Sequence, residues 1–341
     1  MGRYILRRMV TGIFVLFVVV TVTFLLARVV PSDPAQKWVG AHATAEQKAE
    51  AIKELGLDKP LTVQYSTYIK DLFKGNLGLS IVSHRPVSLE LKEAIPNTIE
   101  IVFLSVILAF ILGLPVGVYS AIKENTIFDH IGRFISVGII SLPAFWVALI
   151  LQIVFSTKLG WFPLTGQIDT VLNLTNPLQR ITGFVMLDSI LTGNWPIFIN
   201  VIRHSILPII TLMSYPFGLT ARMTRSILLE VMNEDYIQAS RAFGIKERLV
   251  VWRYAVKNVV GTVTTVLSLS AGYALVNTFV IEAVFSWPGI GNYIARSVVN
   301  LDYPAIIGVT LFASLAYVVL NLFSDIIIAL DPRIRFAEGE G

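Results

Sequence analysis

The chain has no cysteine, which removes disulfide frameworks, thiol nucleophiles and cysteine-based zinc or iron–sulfur sites together. Histidine is scarce too. His42, His84, His130 and His204 stand singly and no His-Glu-x-x-His pair occurs, so each reads as a surface or interface side chain and no metal site is expected. Glycine nowhere precedes lysine, and a phosphate-cradling Gly-x4-Gly-Lys-Ser/Thr loop needs that dipeptide. A Gly-x-Ser-x-Gly elbow is likewise missing, and no soluble stretch is long enough to assemble a catalytic set. Charge is short throughout: 15% of the 341 residues are Asp, Glu, Lys or Arg against 55% hydrophobic, where a soluble domain carries about 25% charged residues. The net charge of +4 invites a nucleic-acid reading, but basic residues beside apolar runs more often report membrane orientation, and no nucleic acid is expected.

Long hydrophobic runs are what the chain has instead, with a mean hydropathy of +0.70. A bilayer core of about 30 Å asks for about 20 apolar residues per helix. Runs over residues 9–30, 98–122, 131–158, 201–227, 256–285 and 303–330 meet that demand. Barrel strands would alternate in polarity over about 10 residues, whereas these runs are apolar all round. The expected fold is therefore an all-α membrane protein with six transmembrane helices. Arg3, Arg7 and Arg8 ahead of the first run imitate a secretory signal, but the apolar core is too long and ends Ala27-Arg28-Val29-Val30-Pro31 without a small-x-small cleavage site. It reads as an uncleaved first span.

Eight Lys/Arg balance eight Asp/Glu over residues 31–95, and this neutrality suits the translocated side. Thr44 and Gln47 offer a capping box for a helix over residues 45–55 that Gly56 ends, and Val63, Tyr65, Ile69, Leu72 and Phe73 give residues 63–73 an apolar helical face. Residues 159–200 form an irregular outer stretch with Trp161, Phe162 and Trp195, types that settle at bilayer interfaces. The basic excess falls elsewhere: Arg3, Arg7, Arg8, Lys123, Arg133, Arg222, Arg225, Arg241, Lys246, Arg248, Arg253, Lys257, Arg333 and Arg335. This bias places both termini in the cytoplasm. The expected organisation is a cytoplasmic tail and first span over 1–30, an extracytoplasmic helical insertion over 31–97, a core over 98–330 with a cytoplasmic loop at 228–257, and a cytoplasmic tail over 331–341.

Within that loop, Glu234 and Asp235 suit a helix N-terminus, and at 3.6 residues per turn Tyr236, Ala239, Ser240 and Phe243 share one face. Gly244 can end the helix in a left-handed cap. Small residues between aromatic ends would let a partner backbone approach closely, although an ordinary amphipathic connecting turn accounts for the pattern equally well.

The stretch Asp235-Tyr-Ile-Gln-Ala-Ser-Arg-Ala-Phe-Gly244 resembles the EAA loop of ABC importer permeases in the oligopeptide and dipeptide branch. Further stretches resemble the first permease subunit of that branch in chain order, among them Leu55-Gly-Leu-Asp-Lys-Pro-Leu61, Ile95-Pro-Asn-Thr98, Leu142-Pro-Ala-Phe145, Leu159-Gly-Trp-Phe-Pro163, Phe285-Ser-Trp-Pro-Gly-Ile-Gly291 and Asp331-Pro-Arg333. The resemblance covers nearly the whole chain. It implies a multi-pass subunit of a prokaryotic cell membrane that carries oligopeptides or dipeptides and is not itself an enzyme. It further implies a homologous second permease subunit, two ATP-binding subunits that use ATP and Mg, and an extracytoplasmic solute-binding protein, with no cofactor held by this chain. Glu234, Asp235, Tyr236, Ala239, Ser240, Arg241, Ala242 and Gly244 become the expected contacts with the ATPase subunit. Gln238-Ala239-Ser240 departs from the bare E-A-A pattern and leaves the contact register open. Relatives in the branch carry nickel, glutathione or oligosaccharides, and these remain alternative cargoes.

Polar residues inside the spans are candidates for the pathway, because charge in lipid is costly and must face the bundle or water. Asn321 and Asp325 lie four apart on the last helix, Glu100 and Glu282 near helix ends, and Asn277 about one turn deeper than Glu282. Hydrogen bonding between helices or exposure at the interface explains these positions more readily than substrate contact does. Gly113, Gly117, Gly138, Gly261 and Gly272 are expected to permit close helix packing, and Pro115 and Pro143 to kink their helices. Two readings from other classes compete: a secondary transporter, which would usually show internal repeats that this sequence lacks, and an intramembrane enzyme using Asp325 with Glu282, which fall at opposite ends of their helices.

Overall fold

The computed structural model describes the backbone of residues 2–29, 34–40 and 42–330 and, within them, all side chains but those of 2–6, 9, 27–29, 34, 37, 269, 320 and 323–330. The helices are α1 (Gly2–Val29), α2 (Pro34–Val39), α3 (Ala45–Glu54), α4 (Leu61–Phe73), α5 (Val87–Ile122), α6 (Ile127–Ser141), α7 (Ala144–Leu151), α8 (Thr170–Thr175), α9 (Val185–Leu191), α10 (Trp195–Val231), α11 (Asp235–Ala242), α12 (Glu247–Leu249), α13 (Val256–Phe285), α14 (Ile290–Asn300) and α15 (Tyr303–Leu330). Wide π-helical turns extend α7 over Gln152–Lys158 and join α12 to α13 over Val250–Ala255. Among the described residues no strand forms, only an isolated bridge between Leu79 and Pro86. The chain is a helical membrane protein.

Two compact units divide it, Met1–Asn97 with Pro288–Val319, and Thr98–Trp287 with Leu320–Gly341. In the first, α3 starts at a capping box: Thr44 N–H donates to Gln47 Oε1 at 2.9 Å and Gln47 N–H donates to Thr44 Oγ1 at 3.3 Å. This satisfies donors that a helix start leaves orphaned. Phe24 of α1 lies against Tyr65 and Tyr68 of α4, with ring centroids 5.2 and 5.5 Å apart. Asp302 accepts from Ser80 Oγ at 2.5 Å and from the Ala305 amide at 3.3 Å, so one carboxylate holds the turn around residue 80 and caps α15. Tyr293 of α14 donates to Glu90 of α5 at 2.6 Å, and burial followed by that carboxylate pushes the Tyr293 phenol well above the usual tyrosine range.

The second unit is organised around α10, which packs against α13, α6, α7 and α9. One apolar cluster joins Ile101, Leu207, Leu212, Ile281, Phe285 and Trp287, and another joins Val118, Leu228, Ile237, Val250, Val259 and Val263. Close approach of α5 to α10 depends on missing side chains. A Cβ on Gly113 would stand 3.0 Å from the Phe217 carbonyl oxygen, and one on Gly117 would stand 2.5 Å from that of Ala221. Gly138 departs from expectation, because a Cβ there meets nothing within 4 Å. It faces open space and brings no helix nearer.

Hydropathy and the folded helices differ in instructive ways. Three helical stretches among the described residues are long and apolar enough to cross a bilayer: Val87–Ile122, Trp195–Val231 and Glu247–Phe285. A fourth exists if α6 and α7 count together, but they meet at an angle of 106°. The run at 131–158 is thus a broken pair rather than a continuous span, since Pro143 supplies no amide donor and disfavours helix at Leu142. Pro115, by contrast, sits inside the unbroken α5. Val10–Leu26 and Tyr303–Val319 are shorter apolar helices. The segment at 286–302 contains α14, and the 159–200 stretch, expected to be irregular, contains α8 and α9. The tail at 331–341 lies outside the described residues.

Candidate functional site

Two features of the second unit have the makings of a site, an exposed helix after α10 and a cavity at the α6–α7 break. In α11, Glu234 occupies the N-cap, and its carbonyl accepts from the Ile237 and Gln238 amides at 3.0 and 3.2 Å. At the other end Gly244 has φ +75°. Its amide donates to the Arg241 carbonyl at 2.9 Å, and the Ile245 amide donates to Ser240 at 3.2 Å. These two bonds are the Schellman pair that satisfies last-turn carbonyls, and the left-handed residue between them favours glycine. Ile237 is fully buried in the second apolar cluster and anchors the helix. Tyr236, Ala239, Ala242 and Gly244 are exposed, Ser240 and Arg241 partly so, and Phe243 stands 86% exposed.

Side-chain bonds hold this knob in place. The Tyr236 hydroxyl accepts from Asn258 Nδ2 at 2.5 Å, and Ser240 Oγ donates to the Tyr236 carbonyl at 2.7 Å. Arg241 pairs with Glu247 at 2.8 Å, and that hydrogen bond pushes its guanidinium above the ordinary arginine range. Asp235 lies in the first helical turn, where the dipole favours negative charge. The arrangement is a rigid, short helix whose exposed face has small residues at its centre and aromatics at its ends. Such a face is able to seat in a groove of another polypeptide but has no group placed for covalent chemistry.

The cavity of about 210 Å³ is lined by residues of α6, α7, α10 and α13, including Pro143, Thr211, Tyr215, Tyr273 and Asn277. Tyr215 and Tyr273 bring their rings to 4.2 Å between centroids, closer than the usual range of about 4.5–7 Å for aromatic pairs. Non-helical backbone at membrane depth is tolerated where it lines a cavity, and the break at Leu142-Pro143 does so. Of the sequence-derived pathway candidates, the cavity takes in Asn277 alone, whose Nδ2 donates to the Tyr273 carbonyl at 2.9 Å.

Glu282 and Glu100 are engaged elsewhere. Glu282 is fully buried and accepts from Thr98 Oγ1 at 2.6 Å. Glu100 is buried and accepts from the Met186 amide at 2.9 Å. These bonds are what helix-to-helix hydrogen bonding would produce. Asn321 is partly buried, and the side chain of Asp325 lies outside the described residues. Sequence reasoning missed Thr211, Tyr215 and Tyr273. Tyr215 and Tyr273 carried a legible signal, aromatic hydroxyls in the middle of apolar runs, but nothing in the sequence pairs them across two helices 58 positions apart in the chain.

Comparison with known proteins decides the class. Residues 113–336 match the model for the binding-protein-dependent transport system inner membrane component, and residues 1–102 match the N-terminal model of the same membrane component. This chain belongs to that family. The inner membrane component is 39% identical over 338 residues to a probable D,D-dipeptide transport system permease protein of Escherichia coli, covering 98% of each chain. It is 38% identical over 337 residues to a dipeptide transport system permease protein of Alkalihalophilus pseudofirmus, covering 98% of this chain and 100% of that one. A glutathione transport system permease protein of Salmonella choleraesuis is 34% identical over 337 residues at the same coverage. Family membership and the long apolar helices make the protein a multi-pass component of the cytoplasmic membrane.

Proposed function

We propose that the chain is one permease half of an ABC importer for short peptides, moved by separate ATP-binding subunits that grip α11. The single observation that carries this reading is the exposed, glycine-capped helix α11, anchored by Ile237 and presenting Tyr236, Ala239, Ser240, Ala242 and Phe243 outward. A lever must be rigid at its root and bare at its tip, and α11 is both. Glu234, Asp235, Arg241 and Gly244 hold its shape and charge.

In this reading the chain crosses the membrane six times with both termini in the cytoplasm, residues 31–97 and 159–200 outside, and residues 228–257 inside. The core at 98–330 carries the pathway, the region 1–30 contributes the first span, and 331–341 is a cytoplasmic tail. The solute passes between this chain and a second, homologous permease subunit. A solute-binding protein delivers it outside, and two ATPase subunits supply ATP and Mg inside. Asn277, Tyr215 and Tyr273 border the route at the α6–α7 break, with Glu282, Glu100, Asn321 and Asp325 as secondary candidates. Peptides are favoured as cargo because dipeptides and glutathione, the solutes in the relatives' names, are short peptides with a free carboxylate.

The test is reconstitution of the chain with its partner subunits in liposomes, with labelled dipeptide and the purified binding protein outside. Uptake requires ATP within and stops when Ala239 is replaced by tryptophan, while the membrane subunits still purify together. Dipeptide uptake that continues in Ala239→Trp, or that proceeds without ATP, would remove the proposal.

A further inference from the structure

A second cavity of about 200 Å³ lies between α5, α6 and α10 and is unrelated to the α6–α7 break. Its wall holds three guanidinium groups, Arg133, Arg222 and Arg225, and three hydroxyls, Ser120, Ser136 and Ser226. The volume is far above the roughly 10–15 Å³ that one water needs. Ser136 and Ser120 are 3% and 6% exposed, yet neither hydroxyl bonds another described residue. Both hydroxyls line the same arginine-lined space, where an anionic acceptor would meet donors and positive charge together. Gly132 lets Ser120 of α5 come close to α6 at the edge of this space, because a Cβ there would stand 2.3 Å from Ser120 Oγ.

Charge in the wall is only partly compensated. Asp129, fully buried, accepts from Arg225 Nε at 2.6 Å and Nη2 at 2.9 Å, and it stands 3.5 Å from Arg133 Nε. Arg222 is exposed and makes no ion pair with a described residue, so a cation remains available. We propose that this cavity binds a phosphate-type oxyanion, with Arg222 and Arg133 supplying charge and Ser120, Ser136 and Ser226 donating to its oxygens. Arginine forks match such oxyanions geometrically.

The place suggests where the phosphate comes from. Arg222 and Arg225 stand within about two to three turns of the α10 end and Arg133 within about two turns of the α6 start, the level at which helix ends meet lipid headgroups. Basic pockets between spanning helices are known to hold anionic headgroups. A shallow groove lined by His130, Phe134 and Gly138 shares Arg133 and Val137 with the cavity, and it offers an apolar continuation for an acyl chain. A free phosphate would use the same donors without the groove.

The experiment uses the complete chain, co-purified with its partner subunits. In one arm, nanodiscs of phosphatidylcholine with phosphatidylglycerol are dissolved in mild detergent and the phosphatidylglycerol retained is counted by native mass spectrometry. In the other, thermal unfolding in detergent is followed with inorganic phosphate against chloride at equal ionic strength. The double variant Arg222→Gln, Ser136→Ala is expected to weaken phosphatidylglycerol retention or the phosphate midpoint about tenfold, and Ser120→Ala, which removes one donor while keeping every charge, is expected to act in the same direction. Loss in the first arm alone assigns the site to a lipid headgroup, loss in the second to free phosphate. Retention and phosphate response that match the parent protein in both variants would overturn the proposal.

Discussion

Replacing Gly244 separates conformational strain from steric blockage. With φ at +75° and nothing within 4 Å of the point where a Cβ would stand, any side chain fits the space but not the backbone. Forcing an ordinary L-residue into the left-handed region costs about 1–2 kcal/mol, asparagine less, and β-branched residues are rarer still there. An energy of that size is a factor of about 5–30 in a two-state population. Gly244→Asn should therefore keep most ATP-driven uptake in proteoliposomes, Gly244→Ala should lose about 5–30-fold of the capped helix relative to uncapped forms, and Gly244→Val should lose more. Hydrogen exchange at the Gly244 and Ile245 amides, which donate to Arg241 and Ser240, reports the cap directly alongside uptake. The reasoning fails if activity follows side-chain volume instead, with alanine near the parent and asparagine as damaging as valine.

Four other substitutions test the packing and electrostatics. Asp129→Asn leaves the partly buried Arg225 facing a neutral amide and should cost about 3 kcal/mol, since breaking a buried pair costs about 3–5 kcal/mol; the unfolding free energy in detergent checks it. Gly117→Ala should disturb α5 against α10, where the Ala221 carbonyl is 2.5 Å from the added carbon, while Gly138→Ala, with nothing within 4 Å, should raise the melting temperature slightly, alanine being about 0.5–1 kcal/mol better than glycine inside a helix. Asp188 is fully buried, and although burial opposes its charge, the Thr182 hydroxyl and the amides of Thr182, Gly183 and Ile181 hold its carboxyl below the usual range. A lowered folded value means that its stabilisation is present above the unfolded pKa of about 3.9 and is lost as pH falls through the folded value. Protection of the Thr182 and Gly183 amides should accordingly fall only below about pH 4, and Asp188→Asn should remove that pH dependence.

Local rules explain why much of the helical plan was readable beforehand. The capping box at Thr44 and the apolar face of α4 depend on residues a few positions apart, and local pattern reports them without reference to the rest of the chain. The glycine cap of α11 belongs to the same class. Length is a weaker guide. Hydropathy marks residues 131–158 as one run, but a proline's effect on its neighbours depends on whether surrounding helices give the freed backbone a place to go, so Pro143 breaks its run and Pro115 does not.

By itself, the amino-acid order determined the solvent, the helical class, the lack of a Gly-Lys phosphate loop and of any thiol, and the position of an exposed capped helix near residue 240. Each follows from composition or from contacts within about two helical turns. Only tertiary structure decided that Tyr215 meets Tyr273, that Arg225 closes on Asp129 across 96 positions, and that Ser120 and Ser136 open into one arginine-lined space. Pairings of this kind depend on the angle and depth at which helices cross, and those are set by the summed packing of many side chains rather than by any short stretch.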